Sequence, residues 1–284
     1  MAENRRRRTA LAATVLRTER LSASLVRVVV GGPGLDLFEA SPCADSYVKV
    51  VFVHDGAARP FPRTDDGRID LDAVAGALPR EHPPRMRSYT VRAFDETTRE
   101  LTLDFVVHGD EGAAGPWAAA AQRGDEVLLV GPGGGYEPDP AAGRHLLAGD
   151  LSALPAIAVA LERLPGDAVG HALVEVHDAG DEVDLPRPAA VELTWVHTGD
   201  ERPAVRLVDA VRALPWPDGD VHGFVHGEAA AVREIRRYLR TERGLGLDRL
   251  SVSGYWRLGQ DDEGWRASKR DWNAAIEQSE TVSA

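Results

Sequence analysis

The segment Glu137-Pro-Asp-Pro-Ala-Ala-Gly143 divides the sequence into two halves with different patterns. Its prolines and its glycine interrupt both helices and strands, which makes it a suitable connection between domains. Before it, short β-rich segments follow one another, whereas strands and helices alternate after it. We therefore predict two domains, over residues 12–141 and 143–258, and a C-terminal helical extension over 259–284.

The first half has the pattern of an antiparallel β-barrel. Its segments are rich in β-branched residues, and several alternate apolar with polar positions, as half-buried strands do. Only one helix is predicted there, over residues 117–122, and many short strands with a single helix favour a barrel. The predicted strands are residues 25–30, 47–53, 87–92, 100–107 and 126–130.

The second half has the pattern of an α/β domain. Alternating strands and helices predict a parallel sheet covered on both faces. The predicted strands are residues 145–148, 172–176, 191–196, 221–225 and 250–256, and the helices are 153–164, 204–213 and 228–243. A last helix is predicted over 263–277. The predicted fold class is thus an N-terminal antiparallel β-barrel, a C-terminal parallel-sheet nucleotide-binding domain and a terminal helix.

The composition limits the possible chemistry. The 284 residues include one cysteine, Cys43, which excludes an internal disulfide and an iron–sulfur cluster. Redox chemistry would therefore need an organic cofactor or an external metal, and no resident metal site is predicted. The net charge of −12 argues against nucleic acid or an anionic membrane as a partner.

The apolar run over residues 10–16 follows Arg5 to Arg8 and could suggest an export signal. It is too short to span a membrane, and no small-residue cleavage site follows it. We interpret this region as a basic tail ahead of the first strand, and we expect a cytoplasmic monomer.

Two motifs in the first half indicate a flavin site. Arg87-Ser-Tyr-Thr90 lies on a predicted strand with Arg92 just beyond, so Arg87 and Tyr89 share one face while Ser88 and Thr90 share the other. Such a strand offers a guanidinium for pyrophosphate, an aromatic ring for the flavin and hydroxyl donors for the ring edge. The alternative is an ordinary edge strand with solvated arginines.

The second motif is the glycine-rich turn His108-Gly-Asp-Glu-Gly-Ala-Ala-Gly-Pro-Trp117, which leads from a strand into the predicted helix. Backbone N–H groups at a helix start can bind phosphate without a side chain. The alternative is a tight turn that only starts a helix, with Trp117 in the core and His108 as a hydrogen-bonded turn residue. Gly131-Pro-Gly-Gly-Gly135 is followed by prolines instead of a helix, so we interpret it as a linker loop.

Arg87-Ser-Tyr-Thr90, the His108–Trp117 turn, Gly149-Asp-Leu-Ser-Ala-Leu-Pro-Ala-Ile157 and Gly254-Tyr-Trp-Arg257 occur in that order. Together they resemble the siderophore-interacting protein family of FAD-dependent ferric-siderophore reductases, within the ferredoxin-reductase-like superfamily, over residues 12–277. The resemblance implies that FAD is bound by Arg87, Ser88, Tyr89, Thr90, Arg92, Val106, His108, Gly112, Ala113, Ala114, Gly115 and Trp117. Where the family often has Gly-Pro-Ala-Ser, this chain has Gly112-Ala-Ala-Gly115, so a phosphate contact at Gly115 would use the backbone.

The motif at 149–157 joins the first strand of the second half to its first helix, with Ser152 predicted as the N-cap and Pro155 in the first turn. The resemblance implies that Gly149, Asp150, Ser152 and Ala153 contact a nicotinamide dinucleotide; the alternative is a capped helix and nothing more. Acidic residues after the second strand favour NADH over NADPH, because they would repel a 2′-phosphate. They are Glu175, Asp178, Asp181 and Glu182. NADPH and a ferredoxin donor stay open.

Three cations are candidate ligands for an anionic ferric siderophore. The resemblance places Lys49 at the substrate cavity, and the alternative is a solvated lysine on the polar face of its strand. Arg257 and Lys269 are the other two candidates. In the wider superfamily an aromatic residue near Arg257 lies by the flavin, which implies a cofactor contact from Trp256 or from Tyr255.

The predicted function is electron transfer from NAD(P)H through FAD to a ferric siderophore. Because the cofactor carries the chemistry, no catalytic acid–base residue is predicted. Oxygen-rich chelators hold ferrous iron poorly, so reduction would release it. Two alternatives remain: a general NAD(P)H-dependent flavin or quinone reductase, which needs no basic cavity, and a protein that binds siderophores without turnover.

Overall fold

A computed structural model describes residues 7–54, 56–109, 112–216 and 219–282. The chain divides into two compact units. The first comprises Met1–Pro42 and Ser46–Gly134, and the second comprises Cys43–Asp45 and Gly135–Ala284. Among the described residues, no helix is both long and apolar enough to cross a membrane.

The first unit contains a closed antiparallel barrel of six strands. Its strands are β1 (Thr9–Arg20), β2 (Leu25–Gly31), β3 (Tyr47–Phe52), β5 (Arg85–Asp95), β6 (Glu100–Val106) and β7 (Glu126–Gly133). They pair in the order β1-β2-β6-β5-β3-β7, and β7 returns to β1. The short β4 (Ile69–Asp70) pairs with β1, and the helices are α1 (Leu71–Gly76) and α2 (Ala114–Ala120).

Alternating side chains fill the barrel. Val48 and Val50 of β3 are almost fully buried in its core, together with Leu103 and Phe105 of β6. Residues directly opposite in an antiparallel pair share a face. The pairing of Val48 with Tyr89 and of Val50 with Arg87 therefore turns these two β5 residues to the core side.

β1 was not predicted from the sequence. The run interpreted as a tail is the barrel's longest strand, and Ala10, Leu11, Ala13 and Val15 are buried in it. Small apolar residues on both faces hid the alternation, because one face covers the barrel core and the other meets a second cluster around Phe61 and Ile69. The predicted helix 117–122 is also shifted, since α2 begins at Ala114 and ends at Ala120.

The second unit is a five-stranded, fully parallel sheet in the order β10-β9-β8-β11-β12. Its strands are β8 (Arg144–Asp150), β9 (Val169–Val176), β10 (Ala190–His197), β11 (Val221–Glu228) and β12 (Leu250–Trp256). Its helices are α3 (Leu154–Arg163), α4 (Val205–Ala213), α5 (Ala229–Arg237), which continues as a π turn over Tyr238–Glu242, and α6 (Asp262–Val282). The predicted fold class is confirmed.

Helices cover both faces of this sheet. Ile157 of α3 packs against Gly149 on one face, whereas Leu207 of α4 and Ile235 of α5 join a cluster with Leu146 and Val225 on the other. On the edge strand β12, the tryptophans of α6 pack onto Gly254, where a Cβ would lie 2.9 Å from the Trp265 ring.

A three-residue stretch of the first half belongs to the second unit. The Ala44 N–H donates to the Tyr136 carbonyl at 2.8 Å. The Asp45 carboxylate accepts from the N–H groups of Gly135 and Tyr136, each at 2.8 Å. The chain therefore passes between the two units three times.

Candidate functional site

The predicted flavin motif lies in the middle of β5. Arg87 is half-buried, and its Nη1 donates to the Met86 carbonyl at 3.0 Å, which fixes the guanidinium beside the strand. Tyr89 packs on Phe105 with ring centroids 4.1 Å apart. Thr90 is buried and Ser88 is exposed on the opposite face of the strand. The predicted alternation of faces is present.

The glycine-rich turn leads into α2, which packs on β2 and β6. Gly112 has a positive φ of 84°, a conformation that glycine adopts without strain. The N-cap is Ala113, whose methyl side chain cannot bond the first N–H groups of the helix. A Cβ on Gly115 would lie 3.5 Å from the Val106 carbonyl. Asp110 and Glu111 of this turn lie outside the described residues.

Trp117 is half-buried in an aromatic cluster, 5.4 Å from the Phe105 ring and 5.9 Å from the Phe52 ring. Its packing agrees with the alternative interpretation of Trp117 as a core residue. His108 is exposed.

Lys49 lies next to the flavin motif. It pairs with Ser88 across β3 and β5, and the neighbouring Tyr47 pairs with Thr90, so these four residues share one face. Lys49 is half-buried, and its ammonium has no hydrogen-bond or ion-pair partner within the described part of the chain. The structure thus brings an uncompensated cation beside the hydroxyls of the motif.

This set of groups fits FAD. Arg87 and Arg92 carry guanidinium groups of the kind that bind a diphosphate, and the start of α2 has backbone N–H groups that could add to them. Ser88 supplies a hydroxyl near a half-buried lysine, and Tyr89 adds an aromatic ring. The first unit therefore contains chemical groups suited to the diphosphate and to the isoalloxazine ring of the cofactor.

The second group of predicted residues lies at the carboxyl ends of the parallel strands. Gly149 and Asp150 end β8, which pairs with β9 on one side and β11 on the other. The chain order of the strands reverses at this point, and such a switch point is where open α/β sheets bind ligands. Trp256 ends β12 at the same edge.

Asp150 connects the ends of three strands. Its Oδ1 accepts from the N–H of Ser152 at 2.9 Å and from the Ser152 hydroxyl at 2.5 Å. Its Oδ2 accepts from the Glu228 N–H and from the Trp256 indole, each at 2.8 Å. Burial raises the pKa of Asp150, and these hydrogen bonds oppose the rise.

The prediction that Ser152 caps the first helix is wrong. The N-cap of α3 is Ala153, and the Ser152 hydroxyl bonds to Asp150 instead. A short side chain can satisfy a nearby carboxylate as well as a helix N–H, and sequence spacing does not distinguish the two. Pro155 lies in the first turn of α3, as predicted.

Two buried glutamates accept hydrogen bonds from the N–H groups at the starts of the neighbouring helices α4 and α5. Glu228 accepts from the N–H groups of Ala230 and Ala231 at the start of α5. Glu175 accepts from the Ala204 N–H at 2.9 Å and from the Leu207 N–H at 3.3 Å, at the start of α4. Burial raises the pKa of Glu175, with Asp150 and Glu228 adding repulsion. The Glu175 carboxylate is therefore occupied by backbone N–H groups and cannot accept a hydrogen bond from a ribose hydroxyl. The preference for NADH over NADPH stays a prediction.

His226 contacts polar side chains on the face of β12 opposite Trp256, and it was not singled out from the sequence. His226 on β11 is buried, with Nδ1 2.9 Å from the Tyr255 hydroxyl and Nε2 3.0 Å from the Ser251 hydroxyl. Burial and nearby Lys269 lower the pKa of His226 to about 3. β11 carries a second histidine, His222, and nothing in the sequence of the strand distinguishes His226 for this role.

The two cations predicted in this unit differ in their surroundings. Lys269 of α6 is half-buried and donates to the Ser253 hydroxyl at 3.2 Å. Burial lowers the pKa of its ammonium, and Asp262 opposes this. Arg257 is exposed, and no side-chain partner of it occurs among the residues that the structure covers.

Both halves of the chain match known families. Residues 14–136 match the siderophore-interacting FAD-binding domain, and residues 142–259 match the siderophore-interacting protein domain. The chain belongs to the siderophore-interacting protein family. The predicted family and FAD as the cofactor are thereby confirmed.

Members of the family and related proteins resemble the chain over nearly its whole length. It is 34% identical to ferric vibriobactin reductase ViuB of Vibrio cholerae, over 89% of this chain and 92% of that protein. It is 31% identical to an NADPH-dependent ferric-chelate reductase of Escherichia coli, over 86% and 91%. A siderophore utilization protein from T. fusca has the same fold, with a TM-score of 0.75 and 34% identity over 90% of this chain and 98% of that one. These relatives confirm the prediction of an FAD-dependent oxidoreductase.

Proposed function

We propose that this protein reduces ferric siderophores, with a reduced nicotinamide as the electron donor. The observation that carries the proposal is the half-buried, unpaired Lys49 beside the flavin motif, in the part of the chain that the structure describes. Burying a cation without a partner is unfavourable unless an anion compensates it. A ferric chelate with hard, anionic oxygen ligands is such an anion. The names of two relatives, a ferric vibriobactin reductase and a ferric-chelate reductase, support this substrate class.

FAD, when bound, takes two electrons as hydride from a nicotinamide and delivers them singly to a ferric acceptor. In the first unit, Arg87, Arg92 and the start of α2 would hold the diphosphate, and Ser88 and Thr90 would bond the ring edge. We assign this FAD site to residues 12–141 and the nicotinamide site to residues 143–258.

In the second unit, the nicotinamide dinucleotide would lie at the ends of β8 and β11, beside the loop before α3. Gly149 and Ala153 are buried against each other there and would shape this loop rather than contact the dinucleotide. Asp150 and Ser152 hold that loop in shape through their mutual hydrogen bonds. Lys49, Arg257 and Lys269 would attract the chelate. Action in the cytoplasm, a monomeric state and a ferredoxin donor stay predictions.

An anaerobic reduction series tests the proposal. The yellow holoprotein is mixed with NADH or NADPH, and the loss of flavin absorbance is followed. Ferric chelates of different charge are then added, and reoxidation is followed together with Fe(II) captured by a ferrous-specific dye. We expect reduction by at least one nicotinamide and two Fe(II) for each nicotinamide oxidised.

The same series separates the alternatives. A protein that reduces free flavin or quinone rapidly but reoxidises slowly with every ferric chelate would contradict the proposal. So would a colourless, folded protein that binds chelates without reducing them. Replacing Lys49 by glutamine should slow reoxidation by anionic chelates about tenfold, as the loss of one partly buried charge contact implies. Arg123→Gln, at an exposed barrel position, is the control.

A further inference from the structure

The Asp150 carboxylate is saturated by the protein itself. A carboxylate offers about four lone-pair positions. Asp150 uses them for two bonds from Ser152, one from the Glu228 N–H and one from the Trp256 indole. Its side chain is therefore not available for a nucleotide ribose, although it lies at the centre of the predicted nicotinamide site.

The contact with Trp256 is built by the local backbone. Gly227 of β11 pairs with Gly254, but the next residue, Glu228, pairs with Trp256, so β12 contains a bulge at Tyr255. Bulges redirect the side chains that follow them. This one turns the indole N–H of Trp256 across the end of β11 to reach Asp150 on β8.

Gly227 leaves the space for this contact. Its φ is 138°, which favours glycine, and a Cβ there would lie 2.6 Å from Asp150 Oδ2, the oxygen that accepts from Trp256. Trp256 itself is half-buried, so part of its ring stays accessible at the sheet edge. A bulge, a glycine and a buried carboxylate thus combine to fix one aromatic ring.

We propose that Asp150 is a positioning residue that holds the Trp256 ring against the nicotinamide of the electron donor, and not against the flavin, which the resemblance to the superfamily implies for one of Tyr255 and Trp256. The proposal rests on the proposed function, since it assigns a role within the same nucleotide site. An indole that donates to a buried carboxylate keeps a single ring orientation. A ring held in this way offers a flat surface that orients the nicotinamide for hydride transfer. Small losses of orientation cost large factors in rate.

The first test separates the two half-reactions of the holoprotein. Trp256→Phe keeps an aromatic ring but removes the N–H donor. Asp150→Asn replaces one acceptor oxygen by a donor, which would face another N–H. We expect each variant to reduce the flavin with NADH or NADPH at least about tenfold more slowly. Reoxidation by a ferric chelate should change less than about twofold, because that step does not use the nicotinamide.

Matched controls are available in the same unit. Trp195→Phe changes a half-buried tryptophan on the edge strand β10. Asp139→Asn changes a carboxylate that bonds Arg249 away from this edge of the sheet. Both controls should keep the wild-type rate of flavin reduction. Equal slowing of both half-reactions in the Trp256 and Asp150 variants would indicate general damage and overturn the proposal.

A second readout does not depend on turnover. The sequence has six tryptophans, and Trp256→Phe identifies the Trp256 indole N–H signal in an NMR spectrum. In the wild type this proton should exchange slowly with solvent, and in Asp150→Asn it should exchange faster. Rapid exchange in the wild type would overturn the proposal, even where Asp150→Asn does not fold.

The outcomes distinguish this inference from the proposed function. A wild type that neither nicotinamide reduces would contradict the proposed function, while the exchange measurement would still decide the contact between Asp150 and Trp256. A wild type that is reduced normally, with Trp256→Phe reduced at the same rate, would overturn only the positioning role.

Discussion

Lys49 and Lys269 are the only lysines in the sequence, which otherwise uses arginine for its positive charges. Lys49 has no partner among the described residues, whereas Lys269 bonds Ser253. A lysine ammonium is compact, and its pKa responds strongly to burial, unlike that of arginine. Having only two lysines also allows each one to be observed separately.

We predict that Lys269 titrates below the ordinary lysine range, because burial disfavours its charged form. Reductive methylation with ¹³C-formaldehyde labels the two lysines and the chain terminus, and Lys269→Arg assigns one signal. The pH at which the Lys269 signal shifts gives its pKa directly. A transition at or above about pH 10.4 would contradict the burial of this side chain.

His226 should make stability depend on pH. Its folded pKa is depressed to about 3, so between about pH 6.5 and 3 the unfolded chain binds a proton that the folded chain does not. The free energy of unfolding should therefore fall as the pH falls through this window, by about 1.4 kcal/mol per pH unit for this one group. Buried His145 and His222 act in the same direction, since burial lowers the pKa of each.

Urea unfolding of the wild type and of His226→Gln at several pH values between 7.5 and 5 isolates this effect. Glutamine stays neutral, so the difference between the two curves should shrink as the pH falls. Parallel curves would show that the folded protein protonates His226 as readily as the unfolded chain.

At the scale of single residues, the positions of the candidate site residues were easier to predict from the sequence than their roles. Arg87, Ser88 and Lys49 were predicted from motif and resemblance, and the structure places them on neighbouring strands. The roles of Ser152 and Glu175 could not be predicted, because each side chain bonds a group brought near by the fold. His226 gave no signal at all, since its partners lie on another strand.

At the scale of elements, a bidentate ion pair joins the barrel strands β2 and β6. Arg27 on β2 lies opposite Asp104 on β6, with Nε to Oδ1 at 2.7 Å and Nη2 to Oδ2 at 2.8 Å. The Asp104 side chain is 4% exposed. A bidentate pair with one partner this deeply buried is costly to break.

We predict that Asp104→Asn lowers the free energy of unfolding of the barrel by about 2–4 kcal/mol, since the buried, bidentate contact between Asp104 and the Arg27 guanidinium would lose its charge. The control is Asp72→Asn, which breaks the pair of Asp72 with Arg8, whose side chains are 44% and 53% exposed. That exposed pair should contribute less than about 1 kcal/mol. Urea unfolding measures both, and similar losses in the two variants would contradict the prediction.

Elements were predictable where their pattern was regular. The strand over 250–256 matches β12, and the helices at 153–164 and 204–213 match α3 and α4 within a residue at each end. β1 was missed because it is buried on both faces and shows no alternation. Gly131-Pro132-Gly133, interpreted as part of a linker loop, continues β7, where Gly133 lies under the Tyr47 ring. That pairing depends on tertiary contacts.

At the scale of the whole molecule, the charge of the proposed substrate-binding cations opposes the charge of the protein. The net charge of −12 repels anions at long range, whereas Lys49 in the first unit and Arg257 in the second would each attract them locally. Salt screens the distant charges first, because the Debye length at physiological ionic strength is about 8 Å. The sign of the salt effect therefore shows which of the two fields the chelate experiences.

We predict that the local cations dominate, so that reoxidation of the reduced protein by an anionic ferric chelate slows as salt is raised from about 20 to 300 mM. A neutral ferric chelate, which feels neither field, is the control. Lys49→Gln should weaken the dependence on salt. Faster reoxidation at high salt would mean that the net charge governs the encounter. Stopped-flow absorbance of the flavin gives these rates.

The fold class was the most predictable feature of the molecule, because it depends on a change in the pattern of predicted strands and helices along the sequence. β-rich segments before Glu137 and alternating strands and helices after it suffice for a barrel and a parallel sheet. The assignment of Cys43–Asp45 to the second unit could not be predicted. A three-residue contact with a distant backbone leaves no periodic trace in the sequence.

The stretch Cys43–Asp45 limits where the chain can be divided between its two units. The Asp45 carboxylate that receives Gly135 and Tyr136 comes from the first half of the gene, and the amides come from the second. If everything after Gly134 were replaced by the corresponding part of another protein, Asp45 would lose Gly135 and Tyr136 as its hydrogen-bond partners. Chimaeras should therefore fold better when the donor supplies the loop around Asp45 together with everything after Gly134.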